Sequence, residues 1–240
     1  MKLLLFISFF LSSQLNSVYE KVFLTDYKDA LIFVKKNSNE IKSVCKKFNN
    51  DHVFAVSVVF PEIIRYSIFK DFFETTALES VYVKFGKEYA DFSIGRFQMK
   101  PSFAEKLESA LSASDSLSEK YKKIIHYKNK DENGIRLERV QRLKMLSWQL
   151  LYLNGFIDVV NSKFPDSNFS NNFEKINFYA TAYNYDFSKT KDNINAMIHI
   201  KSFPYGGCNN KHQYSYGDIS VEYYKKNCNI MYSQNSFLNK

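Results

Sequence analysis

The sequence predicts a mainly α-helical domain built around one long, central, buried helix. Apolar residues recur at three- and four-residue steps along much of the chain, the period of a helix with one buried face. The pattern is strongest over residues 135–164, where Val140, Leu143, Leu146, Leu150, Leu153, Ile157 and Val160 share a face and Trp148 and Leu151 widen it. A chain of 240 residues, 45% hydrophobic and 17% aromatic, can bury such a core as one domain, taken as residues 18–240.

Residues 1–17 read as a secretory signal: Lys2, an apolar run from Leu3 to Leu11, then the small and polar Ser12, Ser13 and Gln14. That run is too short to cross a bilayer, and the longest later apolar region, 143–160, is interrupted by Lys144, Gln149, Asn154 and Asp158. Over residues 25–47, Tyr27, Ala30, Leu31 and Val34 and then Ile41, Val44 and Phe48 predict two short helices, separated at the polar Asn37-Ser38-Asn39. Residues 53–60 are ambiguous. Their β-branched content favours a buried strand, whereas Asn50 or Asp51 would cap a helix and Pro61 would stop one.

Residues 68–87 are again helix-like, and 90–102 carry the Gly, Pro and Ser of a shaped loop that opens into a helix at Phe103. The charged stretch 103–127, with only Leu107, Ala110, Leu111, Tyr121, Ile124 and Ile125 as apolar ridges, is expected on the surface. A loop over 128–134 precedes the central helix. Shorter helices are expected at 177–185, 194–200 and 218–226, with Pro204-Tyr205-Gly206-Gly207 as a loop between the last two.

The signal implies a secreted or periplasmic protein that touches membrane only through that segment. In an oxidising compartment the cysteines offer one disulfide, Cys208 with Cys228, which on the chain-entropy model contributes about 3 kcal/mol. The alternative is that both, with Cys45, are unpaired. A net charge of +8 invites nucleic acid, but the basic residues form no stripe and an exported chain seldom meets any; an anionic wall polymer suits the charge better.

The residue types also restrict the chemistry. His52, His126, His199 and His212 are dispersed, with no zinc motif, no phosphate-binding glycine loop, no dinucleotide fingerprint and no serine-hydrolase elbow. No cofactor or metal is expected, and carboxylate chemistry is the main enzymatic option left.

Three segments then stand out in order along the chain. Val53-Phe54-Ala55-Val56-Ser57-Val58-Val59-Phe60-Pro61-Glu62 resembles the apolar helix that ends in the catalytic Glu of the lytic transglycosylases and goose-type lysozymes. Ser93-Ile94-Gly95-Arg96-Phe97-Gln98-Met99-Lys100-Pro101-Ser102 is similar to that family's Gly-Leu-Met-Gln turn, and Tyr179-Ala180-Thr181-Ala182-Tyr183-Asn184 to its Ala-Tyr-Asn helix. The resemblance covers residues 51–186. It departs from the pattern at the acid, because Glu62 is followed by Ile63 rather than Ser and lies farther from Gly95 than is usual. Glu79-Ser80 keeps both features, so Glu79 is the alternative acid.

The resemblance implies a lysozyme-like fold acting as a monomer on peptidoglycan glycan strands. Glu62 would be general acid and then base, with Asp91, Ser93, Gly95, Phe97, Gln98, Tyr183 and Asn184 binding substrate. A carboxyl at the end of an apolar helix suits this, because burial disfavours the charged form and keeps a proton available for the glycosidic oxygen. A hydrolytic lysozyme would usually add a second carboxylate, for which Asp91 and Asp186 are the candidates. A wall-binding protein that keeps the fold without activity is the rival from another class.

Overall fold

Twelve helices and one two-stranded hairpin make up the described residues, 17–69, 75–204 and 213–237, of the computed structural model. They are α1 (Val18–Lys36), α2 (Ser38–Lys47), α3 (His52–Phe69), α4 (Thr75–Phe85), α5 (Pro101–Ser112) and α6 (Asp115–Lys120). There follow α7 (Lys122–Ile125), α8 (Glu132–Lys144), α9 (Leu146–Lys163), α10 (Asn172–Asn184), α11 (Lys191–Met197), β1 (Lys201–Phe203), β2 (Tyr214–Ser215) and α12 (Tyr216–Phe237). The chain is therefore mainly α. Of the expected signal only Ser17 is described, and its hydroxyl accepts from the Glu20 N–H at 3.1 Å as the N-cap of α1. Cys208 also lies outside the described residues, and with it the Cys208–Cys228 pairing.

The two helices expected over 25–47 are α1 and α2, and they part at Asn37. α1 starts earlier than its periodicity because it kinks at Leu24, whose φ of +44° interrupts the pattern. The ambiguous stretch 53–60 is helical. The Asp51 carboxylate accepts from the Phe54 N–H at 2.6 Å and the Asp51 carbonyl from the Ala55 N–H at 2.9 Å, so the cap starts the helix that β-propensity argues against.

Pro61 does not stop α3; it lies inside it. A mid-helix proline costs about 3 kcal/mol. Fully burying Ile63 and Ile64 just beyond it returns about 1.5–3 kcal/mol each, which offsets the loss. The consequence for function is direct, since it sets Glu62 within the buried helix and not at an exposed end.

The single helix expected over 135–164 is two helices, broken at Met145, whose ψ of 128° is extended. The break redirects the chain: α8 packs on α4, while α9 packs on α2 and α5. α9 is the buried half and shares the interior with α3, which is flanked by α1, α10 and α12. The buried apolar residues of both groups form one continuous core.

The stretch 103–127 is largely exposed or half-buried and anchors through the expected ridges Leu107, Leu111, Tyr121 and Ile124. Glu108 departs from that expectation: it is buried, because Arg139 of α8 meets it. The hairpin of β1 and β2 was not foreseen. It pairs antiparallel with Lys201 opposite Ser215 and Phe203 opposite Tyr214, and its rings pack edge-on against Phe23 of α1.

Candidate active site

Three elements converge on one cleft: the middle of α3, the loop between α4 and α5, and the C-terminal end of α10. The loop holds a tight turn in which Ile94 and Met99 exchange both backbone hydrogen bonds, at 2.9 and 3.1 Å. Gly95 (φ +69°) and Gln98 (φ +48°) both take the left-handed conformation. The Gln98 side-chain amide donates to the Gly95 carbonyl at 2.8 Å. Two buried side chains from distant helices clamp the turn at Phe97. Its N–H donates to Gln149 Oε1 of α9 at 2.7 Å, and its carbonyl accepts from Tyr183 Oη of α10 at 2.7 Å.

Gly95 is required twice over. Besides its φ, an added Cβ would lie 2.0 Å from Gln149 Nε2 and 2.6 Å from the Leu143 carbonyl oxygen. Gly95→Ala is expected to lower stability by roughly 2–4 kcal/mol, combining left-handed strain with loss of the Gln149 clamp. Urea unfolding measures it, and a loss within about 0.5 kcal/mol, typical of neutral surface changes, would contradict this account.

Glu62 lies at the cleft with only 4% of its surface exposed. Burial raises its carboxyl from the ordinary value of 4.5 to about 7, against the opposing charges of Arg65 and Lys100. Arg65 Nη1 stands 3.5 Å from both carboxyl oxygens. The buried phenols of Tyr183 and Tyr216 also sense the Glu62 charge, and their own ionisation is pushed well upward, first by burial.

A raised folded-state value means that the native protein holds this proton more tightly than the unfolded chain. The stabilisation is fully present below about pH 4.5 and is lost as pH rises through about 7. At about 1.4 kcal/mol per unit this amounts to about 3 kcal/mol. Glu62→Gln removes the dependence, so its melting temperature should gain on that of the wild type between pH 5 and 8. Parallel melting curves across that range would refute the buried, proton-retaining carboxyl.

The cleft has a volume of about 490 Å³, within the range of small-molecule sites. Glu62, Asp91, Ser93, Gln98, Tyr183 and Asn184 all line it. Phe97 does not bind there as expected: its ring is fully buried, and only its backbone serves the turn. Gly95 likewise shapes the turn from below, against Gln149. Glu79 is not among the cleft residues; on α4 it pairs with Lys144 Nζ at 2.7 Å.

The two candidate second carboxylates reach the cleft already engaged. Asp91 accepts from the Ser102 N–H at 3.0 Å and the Ser102 hydroxyl at 2.7 Å, capping the start of α5. Burial alone would raise Asp186, but Lys106 Nζ at 2.6 Å and the Ser188 N–H and hydroxyl bring it below the usual carboxylate range.

Several members of the site went unrecognised in the sequence. Arg65 carried a readable signal, because a residue three positions after Glu62 shares its helical face. Gln149 and Tyr216 carried none, being brought in by tertiary packing. Tyr216 Oη is buried with no hydrogen-bond partner among the described residues, at the start of α12 behind Tyr183 and Glu62. The arrangement offers one proton donor and acceptor near neutral pH, a polar rim, and a rigid turn facing it. Comparison of the chain with protein-family models, with curated proteins and with solved structures gives no match.

Proposed function

We propose that the protein is an exported peptidoglycan-cleaving glycosidase of the lytic transglycosylase type. On this reading it cuts the β-1,4 bond between N-acetylmuramic acid and N-acetylglucosamine. The observation that carries the reading is Glu62: a buried carboxyl raised to about 7, in the same cleft as the Gln98 turn and the Tyr183-Asn184 helix end. Those groups stand apart in sequence and are the ones a single-glutamate glycosidase needs together.

The protonated Glu62 gives its proton to the glycosidic oxygen as the bond from that oxygen to the anomeric carbon breaks, and the N-acetylglucosamine end leaves as an alcohol. The resulting Glu62 carboxylate takes the proton of the muramic C6 hydroxyl as its oxygen bonds to the anomeric carbon. The products are a 1,6-anhydro end and a reprotonated Glu62, so no water and no second carboxylate enter. The prior engagement of Asp91 with Ser102 and of Asp186 with Lys106 supports this route over a hydrolytic one, which needs a carboxylate open to water.

Digestion of purified sacculi, with the products weighed by mass spectrometry, tests the proposal. Anhydro ends, one water lighter than hydrolysed ends, are expected. The rate should fall as pH rises through about 7 with loss of the acid's proton. Hydrolysed ends would make the protein a lysozyme, and sacculus binding without turnover at any pH would make it a wall-binding protein.

A further inference from the structure

Three cations line the cleft: Lys106, Lys100 and Arg65. Lys106 is held by Asp186 at 2.6 Å and Lys100 faces Asp91 at 3.8 Å. Arg65 differs. Its hydrogen-bond and ion-pair contacts among the described residues are with Glu62 alone, at 3.5 Å from each oxygen. Charge-assisted contacts close to about 2.7–2.9 Å, so Nη1, equidistant from the two oxygens, has room to draw nearer to both.

We propose that Arg65 is the positioning residue that carries Glu62 from proton donor to base. Once the proton has gone to the leaving sugar, the guanidinium closes onto both oxygens of the new carboxylate, and it withdraws when Glu62 takes up the proton of the attacking hydroxyl. The role rests on the glycosidase reading above.

The other groups facing Glu62 are less suited. Tyr183 Oη already donates to the Phe97 carbonyl, Tyr216 brings a hydroxyl but no charge, and Lys100 is half exposed beside Asp91. Arg65 lies three residues on in the same helix, already 3.5 Å from both oxygens, and its side chain is 31% exposed. An ionised carboxylate in so buried a position is otherwise costly, and a planar two-pronged donor answers both oxygens at once.

The test compares wild type, Arg65→Gln and Arg65→Lys on sacculi across pH. In parallel, the Glu62 carboxyl is titrated by carbon NMR, assigned with Glu62→Gln, and thermal melts confirm folding. Arg65→Gln should lower kcat roughly 10- to 100-fold, the range of a charge-assisted hydrogen bond, with KM little changed. Both the alkaline limb of the rate profile and the Glu62 titration should move to higher pH. Arg65→Lys should restore much of each. A folded Arg65→Gln with wild-type kcat and an unmoved Glu62 titration overturns the role of Arg65 alone. Failure of the wild type to cleave sacculi overturns the glycosidase reading and this role with it.

Discussion

Glu62→Gln is expected to reduce cleavage of peptidoglycan by at least about 10²- to 10⁴-fold while leaving the protein folded and, above pH 7, more stable than the wild type. The two effects share one cause. Glu62 sits in the buried interior of α3 between Phe60 and Ile63, where ionisation is disfavoured, so the proton that the proposed reaction would use is retained at the expense of stability at alkaline pH. Glutamine keeps the shape and removes both the proton and the charge. Glu79→Gln is the control: it breaks an ion pair with Lys144 on α4, away from the cleft, and should leave turnover unchanged within about twofold, as partly exposed pairs contribute little. Loss of turnover in Glu79→Gln with turnover retained in Glu62→Gln would reverse the assignment of the acid.

Arg139→Met is expected to lower stability by about 3–5 kcal/mol, measured by urea unfolding. Arg139 donates to Glu108 through Nε at 3.0 Å and Nη2 at 2.7 Å, and through Nη1 to Tyr82 Oη at 2.6 Å and Glu105 at 3.2 Å. Glu108 also accepts from Tyr152 Oη at 2.7 Å and from Tyr127 Oη. Removing the arginine leaves a buried carboxylate facing only phenols, and that uncompensated charge accounts for the loss. Arg139→Met combined with Glu108→Leu should recover part of it, because the stranded charge goes too; the orphaned Tyr127 and Tyr152 hydroxyls keep the recovery incomplete. A single-variant loss under about 1 kcal/mol would mean that water reaches the cluster.

The elements legible in the sequence were those whose signal is local. The separation of α1 from α2 at Asn37 and the second half of α10 follow from apolar spacing and polar interruption. The failures have a common origin in partners remote along the chain. Glu108 reads as exposed with the rest of the charged stretch 103–127, and Arg139, which makes its burial tolerable, lies in another helix. Met145 breaks the expected central helix without a glycine or proline to mark it. Pro61 suggested a helix end, but the burial of Ile63 and Ile64 carries α3 past it.

By itself the sequence determined the helical class and the residue types of the site: a carboxyl in an apolar segment, a glycine-glutamine turn, and a Tyr-Asn pair. Those depend on composition and on neighbours a few positions away. Only the tertiary structure decided that Glu62 rather than Glu79 faces the turn, that Phe97 serves through its backbone, and that Gln149, Arg65 and Tyr216 complete the surroundings of the acid. Burial and charge pairing set the proton affinity of a carboxyl. Both are properties of what the folded chain brings within a few ångströms of it, which no local pattern encodes.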